Sequence, residues 1–144
     1  MAEIVARAQA RARATGSTVT MDDAVAALTE PGSPAAGLLS GNDAAFLVPS
    51  IFDAEVLSAL RGLVRGGKFD PAAAADLVVD LMVLPVDRWH MSPLLPRMWE
   101  LRENLTPYDA AYVALAELTG AVLVTGDERI TAAPGTRCEI QIIK

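Results

Sequence analysis

The chain has 144 residues, enough for one domain with one sizeable core. It is 52% hydrophobic, and 12 Lys and Arg against 18 Asp and Glu leave a net charge of −6; that excludes a disordered chain and argues against non-specific nucleic-acid binding through a broad basic surface. A single cysteine, Cys138, and a single histidine, His90, exclude an intrachain disulfide, a cysteine zinc cluster and a multi-histidine metal site. No apolar run reaches the roughly 18 to 20 residues of a membrane span. The start lacks the apolar core of a secretory signal, so the expected setting is the cytoplasm, with no membrane partner.

In chain order, residues 3–14 read as a helix with a basic face carrying Arg7, Arg11 and Arg13. Residues 1–16 are therefore expected to form an Arg-rich helical extension, and residues 17–144 the domain proper. Residues 17–21, STVTM, alternate as a strand. Asp22 and Asp23 follow it, where either could cap the next helix or face a crevice. Residues 34–40 read as a short helix, and residues 44–48 as a second apolar strand. A helix over 53–65 carries the stripe Val56, Leu57, Leu60, Leu63 and Val64, with Glu55 in its first turn. Asp70-Pro71 starts another helix by capping and by Pro at its first position, with Leu77, Val78, Leu81 and Met82 as its buried side. Residues 84–88 read as an edge strand, because Pro85 cannot donate to a ladder. A helix over 92–103 follows. Its Trp99 is expected in the core rather than as an RNA stacking platform, and His90 is expected to be structural or on the surface.

Residues 106–130, TPYDAAYVALAELTGAVLVTGDERI, organise the rest. Thr106 can cap a helix with Pro107 at its first position. The run from Ala110 to Leu118 leaves little polar surface, which predicts a buried helix stopped by Gly120. Residues 121–124 are short, uncharged and partly β-branched, as an interior parallel strand should be. Thr125-Gly126-Asp127 comes next, at a strand's carboxyl end, where open α/β sheets place their ligands. Each aspartate also has an ordinary role open to it. Asp109 has capping-box spacing from Thr106, and Asp127 can form a turn. Residues 138–143 form a final strand. The alternation of strands and helices predicts an α/β fold with a mostly parallel sheet flanked by helices.

Four acids stand at strand ends or helix starts: Asp22 (or Asp23), Glu55, Asp109 and Asp127. Oxygen ligands without sulfur or several imidazoles suit Mg²⁺ or Mn²⁺, and such ions activate water and stabilise charge on a phosphodiester. No P-loop, dinucleotide glycine fingerprint or Gly-x-Ser-x-Gly elbow occurs. A phosphatase of the haloacid dehalogenase type also uses strand-end aspartates, but its Asp-x-Asp motif after the first strand is missing.

Three segments, IFDAEVLSALRGLVRGG at 51–67, LLPRMWELRENLTPYDAAYVALAE at 94–117 and VLVTGDERI at 122–130, resemble the PIN domain of VapC-type toxins. The resemblance implies a three-layer PIN-like fold and a Mg²⁺-dependent endoribonuclease. It places Glu55, Asp109 and Asp127 on three positions of an acidic quartet and Thr125 on a site-lining hydroxyl. Asp22 is the best stand-in for the first acid, although a gap-free register puts Thr20 at that position. It also implies a homodimer inhibited by a VapB-type antitoxin. The alternative is a catalytically weakened PIN domain that binds antitoxin or RNA.

Overall fold

The computed structural model describes residues 17–30, 32, 46–84 and 86–143, with the backbone alone at 19, 21–23 and 27. Its elements are β1 (Ser17–Val19), α1 (Met21–Thr29), β2 (Phe46–Pro49), α2 (Phe52–Arg65), α3 (Pro71–Val83) and β3 (Val86–Trp89). A 3₁₀ turn (Ser92–Leu94), α4 (Leu95–Glu100), α5 (Pro107–Thr119), β4 (Val122–Thr125), α6 (Glu128–Ala132) and β5 (Ile140–Ile142) complete them. The helices expected at 3–14 and 34–40, and with them the basic face, lie outside the described residues.

The sheet is parallel at every pairing, in the order β3-β2-β1-β4-β5. The first three strands step outward from β1. The chain then crosses back and lays β4 on the other side of β1, so the order reverses between β1 and β4. Such a switch point opens a crevice at the strands' carboxyl ends. Val19 pairs with Val124 there, and the Thr20 N–H donates to the Val124 carbonyl at 3.3 Å.

α5 is the packed centre of the domain. Ala110 through Ala116 are all buried, and the helix lies against β1, β2, β4 and α4. The run of alanines lets it approach the sheet closely, while Tyr112, Val113 and Leu115 fill the remaining space. Thr106 caps it as its spacing predicts, accepting from the Asp109 N–H at 3.3 Å. Gly120 ends it at φ 75°, a left-handed turn that favours glycine. The large core joins this helix to Val25, Phe52, Val56, Leu60, Leu81, Leu94, Met98 and Leu101, with Leu47 and Leu123 from the sheet. Phe46 and Val124 alternate to the other face, where they pack with Val86, Val122 and Ile143.

Several expectations are corrected. β1 ends two residues early, because α1 begins at Met21 with Thr20 at its N-cap position. Asp22 and Asp23 therefore lie in the first turn of α1, past its N-cap position. α2 buries Phe52, Val56 and Leu60, an i, i+4, i+8 row, and leaves Leu57 exposed. Val78 and Met82 of α3 are exposed too; its buried residues are Ala74 and Leu81. Trp99 is not core: it is 68% exposed, with the Arg102 guanidinium 4.6 Å above its ring. Here Leu94, Met98 and Leu101, in and beside α4, form a single inward row, and Trp99 falls beside that row. His90 is exposed and structural, accepting from the Ser92 N–H at 3.2 Å.

Candidate active site at the carboxyl edge of the sheet

β2 breaks at Pro49-Ser50, and α2 starts almost at once, so Glu55 sits in the first turn just past a strand's carboxyl end. Its Oε1 accepts the Tyr112 hydroxyl at 2.8 Å. Tyr112 is buried on α5, three residues beyond Asp109 and on the same helix face. This bond ties the acid of α2 to the helix that carries Asp109. Asp109 is half-buried in α5's first turn, where the helix dipole favours a negative charge.

On the other side of the switch point, Thr125 ends β4 fully buried. Its hydroxyl accepts from the Asp127 N–H at 3.0 Å and from the Thr20 hydroxyl at 3.4 Å. Thr125 thus fixes the turn that presents Asp127. Asp127 caps α6 by accepting the Arg129 N–H at 2.9 Å, and both its oxygens take the Arg129 guanidinium, at 3.0 Å to Oδ1 and 2.7 Å to Oδ2. Those side-chain bonds hold the Asp127 carboxyl below the usual carboxylate range, against the opposing effect of partial burial.

Thr20 directly follows β1 and is buried. Asp22 and Asp23 follow in α1, and their side chains lie outside the described ones. Among the described residues, no three His, Cys, Asp or Glu side chains gather closely enough to hold a metal ion. The donor type fits a hard cation, since Glu55, Asp109 and Asp127 offer only oxygen. Completing a cage would require an acid from α1, or Asp127 leaving Arg129.

A groove of about 470 Å³ opens beside Glu55, lined by Ile51, Ala54, Ser58, Ala59 and the exposed ring of Tyr108. Sequence reasoning missed Tyr108, Tyr112 and Arg129 as parts of this edge. The signal for the two tyrosines was present in TPYDAAY: one tyrosine flanks Asp109, and the other follows it by one helical turn.

The PIN domain family matches residues 23–135. Ribonuclease VapC1 of Mycobacterium tuberculosis is 42% identical over 97 residues, 67% of this chain and 73% of that protein. Among solved structures, PAE2754 from Pyrobaculum aerophilum superposes with a TM-score of 0.65 at 28% identity, covering 88% of this chain and 83% of that one. VapBC2 from Rickettsia felis, bound to a DNA fragment from their promoter, gives a TM-score of 0.65 at 14% identity over 89% and 98%. At that identity the likeness is one of fold.

Proposed function

The chain belongs to the PIN-domain family, among its VapC-type members, and from that premise we propose that it is the toxin of a type II toxin–antitoxin pair, an endoribonuclease that hydrolyses RNA with Mg²⁺ or Mn²⁺. The observation that carries this reading is the Tyr112–Glu55 hydrogen bond. Without it, Glu55 is one more acid at a helix start. With it, two acids 54 positions apart share one edge of the sheet.

Asp22, Glu55, Asp109 and Asp127 would hold the cation, which supplies an activated water and neutralises charge on the phosphodiester. The chain's own residues have separable tasks. Tyr112 orients the Glu55 carboxylate. Thr125 sets the backbone at Asp127, and Thr106 fixes the turn that presents Asp109. Arg129 neutralises Asp127 until a better cation arrives.

The partners follow from the same reading. A VapB-type antitoxin would place a guanidinium among these carboxylates, pairing bidentately with groups that otherwise take metal. A second copy of the chain fits the exposed apolar row Val79, Met82 and Val83 on α3. The compartment is the cytoplasm, where RNA and antitoxin are both found.

One observation favours a second reading, a PIN domain weakened in catalysis. Thr20 follows β1 at the switch point, and its hydroxyl donates to Thr125. On that reading the strand end itself carries no acid.

The test is cleavage of single-stranded RNA with Mg²⁺ or Mn²⁺, with EDTA as the blank. Asp109→Asn should abolish cleavage at unchanged melting temperature. Full activity in that variant, or cleavage that survives EDTA, overturns the mechanism. Loss in Asp22→Asn but not in Asp23→Asn makes Asp22 the first ligand. No loss there, with a gain in Thr20→Asp, selects the weakened reading.

A further inference from the structure

The groove beside Glu55 has a composition that the proposed chemistry does not use. Ile51, Ala54 and Ala59 give it apolar walls, and Glu55 and Ser58 give it a polar rim. Tyr108 closes one side with a ring that is 58% exposed. The chain has only two tyrosines. Tyr112 is buried and hydrogen-bonded to Glu55, while Tyr108, four residues earlier on the same helix, turns its ring to the groove.

We propose that this groove receives one unstacked nucleobase of single-stranded RNA, with Tyr108 as the residue it stacks on. The inference rests on the ribonuclease reading and deepens it by naming a substrate subsite. Three features select a base over other ligands. No basic side chain is among the groove's described lining residues, so a phosphate would find a carboxylate there and no cation. The walls are apolar and one of them is aromatic, which suits a flat ligand with a polar edge. The groove is also continuous with the candidate site, because Glu55 belongs to both and Tyr108 directly precedes Asp109. A base seated there leaves the attached phosphate facing the acids.

The placement also addresses affinity. An acidic protein gains little from counterion release along an RNA backbone. Stacking does not depend on that charge, and every base has a face to offer. Single strands can splay a base into such a groove, whereas a duplex keeps it stacked.

The experiment compares wild type, Tyr108→Phe and Tyr108→Ala on a short single-stranded RNA. It reads kcat and KM with Mg²⁺, and binding in EDTA by fluorescence anisotropy. Tyr108→Phe keeps the ring and should match wild type. Tyr108→Ala should raise KM roughly tenfold with kcat nearly unchanged and weaken binding in EDTA by a similar factor, the scale of one lost stack. Circular dichroism and melting temperature check that both variants fold. A series of oligonucleotides with one abasic position moved along the strand should contain one member on which wild type and Tyr108→Ala are equal. If wild type cleaves and Tyr108→Ala keeps its KM and binding, the subsite is refuted while the ribonuclease reading stands. If Tyr108→Ala loses only an antitoxin, the groove is a protein site and the proposal falls. If wild type neither cleaves nor binds RNA, the ribonuclease reading fails and the subsite fails with it.

Discussion

Glu117 and Asp127 are each gripped by an arginine fork, as Asp53 is by Arg88, and the exposure of the arginine separates the first two. Glu117 of α5 takes Arg97 Nε at 2.6 Å and its terminal nitrogen at 3.2 Å, with the Arg137 N–H adding a third bond at 2.7 Å. Arg97 also donates to Glu100 at 3.0 Å and to the Gly135 carbonyl at 2.6 Å. The side chains of this pair are 20% and 13% exposed, and the bond to Glu117 lifts the Arg97 pKa above the ordinary arginine range against the effect of partial burial. Asp127 is held as closely, but by a guanidinium 87% exposed and carried two residues along the same chain segment. The first pair joins α4, α5 and the C-terminal loop, and water cannot readily replace any member. The second pair lies within one turn of chain, and an ion pair with so exposed an arginine contributes little. The difference separates a carboxylate committed to the fold from the one that the proposed function assigns to chemistry.

The largest expected effect falls on the one assigned to chemistry. Asp127→Asn keeps the shape and remains a good N-cap. Residues that merely support metal ligands cost roughly 10–100-fold when changed, so a direct ligand should cost at least about a hundredfold in cleavage. The melting temperature should stay within a degree or two of wild type. RNA cleavage beside a thermal melt measures both, and a large drop in melting temperature with cleavage intact would erase the distinction drawn here.

Glu117→Gln should do the reverse. It leaves a partly buried guanidinium with one formal partner fewer. Breaking a fully buried pair costs about 3–5 kcal/mol; the residual exposure lowers the expectation to about 2 kcal/mol, or roughly 6 °C in melting temperature for a domain of this size. Cleavage at 25 °C should be unchanged. Denaturant unfolding and the RNA assay, run on one preparation, test the pair of outcomes.

Arg129→Gln sharpens the contrast from the other partner. The loss of stability should be under about 1 kcal/mol, as for exposed pairs. The Mg²⁺ concentration for half-maximal cleavage should fall severalfold, because a competing cation is gone. The pH sign follows from the depressed Asp127 pKa, whose largest cause is the Arg129 side chain. A carboxylate held low contributes stability above its unfolded value, near 4, and loses it as pH falls through the folded value. In the variant that acid-side loss should shrink, and the Asp127 carboxyl carbon should titrate closer to the ordinary range by NMR. An unchanged titration would mean that Arg129 is not the partner in solution.

Much of this was readable in advance, and the reasons for the exceptions are physical. α5, β4 and the turn to Asp127 were legible because cap, apolar run, stop and strand follow one another with little competing signal. The edge position of β3 was legible from Pro85. The end of β1 was not: STVTM continues its alternation through Met21, while Thr20 is equally fit to end a strand or open a helix, and tertiary pairing with Val124 decides the matter. Trp99 and Met82 were misassigned because periodicity says which residues share a face and not which face finds a partner. At the site, the acids could be named one by one from strand ends. Their hydrogen-bond partners could not, because Tyr112 reaches Glu55 across 57 positions of sequence.

The smallest effect concerns Cys138, which reports on the Glu117 corner without taking part in it. Its thiol is half-buried, and burial pushes it up to about 11, with the nearby charge of Glu117 as the second cause. An ordinary thiol titrates near 8.5 and is roughly a quarter ionised at pH 8, whereas one near 11 is about a thousandth ionised. The folded chain should therefore react with iodoacetamide some hundredfold more slowly than the unfolded chain at pH 8. The raised value also favours the folded state at pH below the ordinary thiol range, and that contribution is lost as pH rises through about 11. Glu117→Gln removes the second cause and leaves burial in place. Alkylation of the folded variant should speed up only severalfold and remain far below the unfolded rate. Asp127→Asn, at the other end of the comparison, should leave the alkylation rate at the wild-type value. Mass spectrometry of timed samples gives all three rates. Equal acceleration in both variants would mean that the two carboxylates are not independent, and the division between a fold carboxylate and a working one would fail.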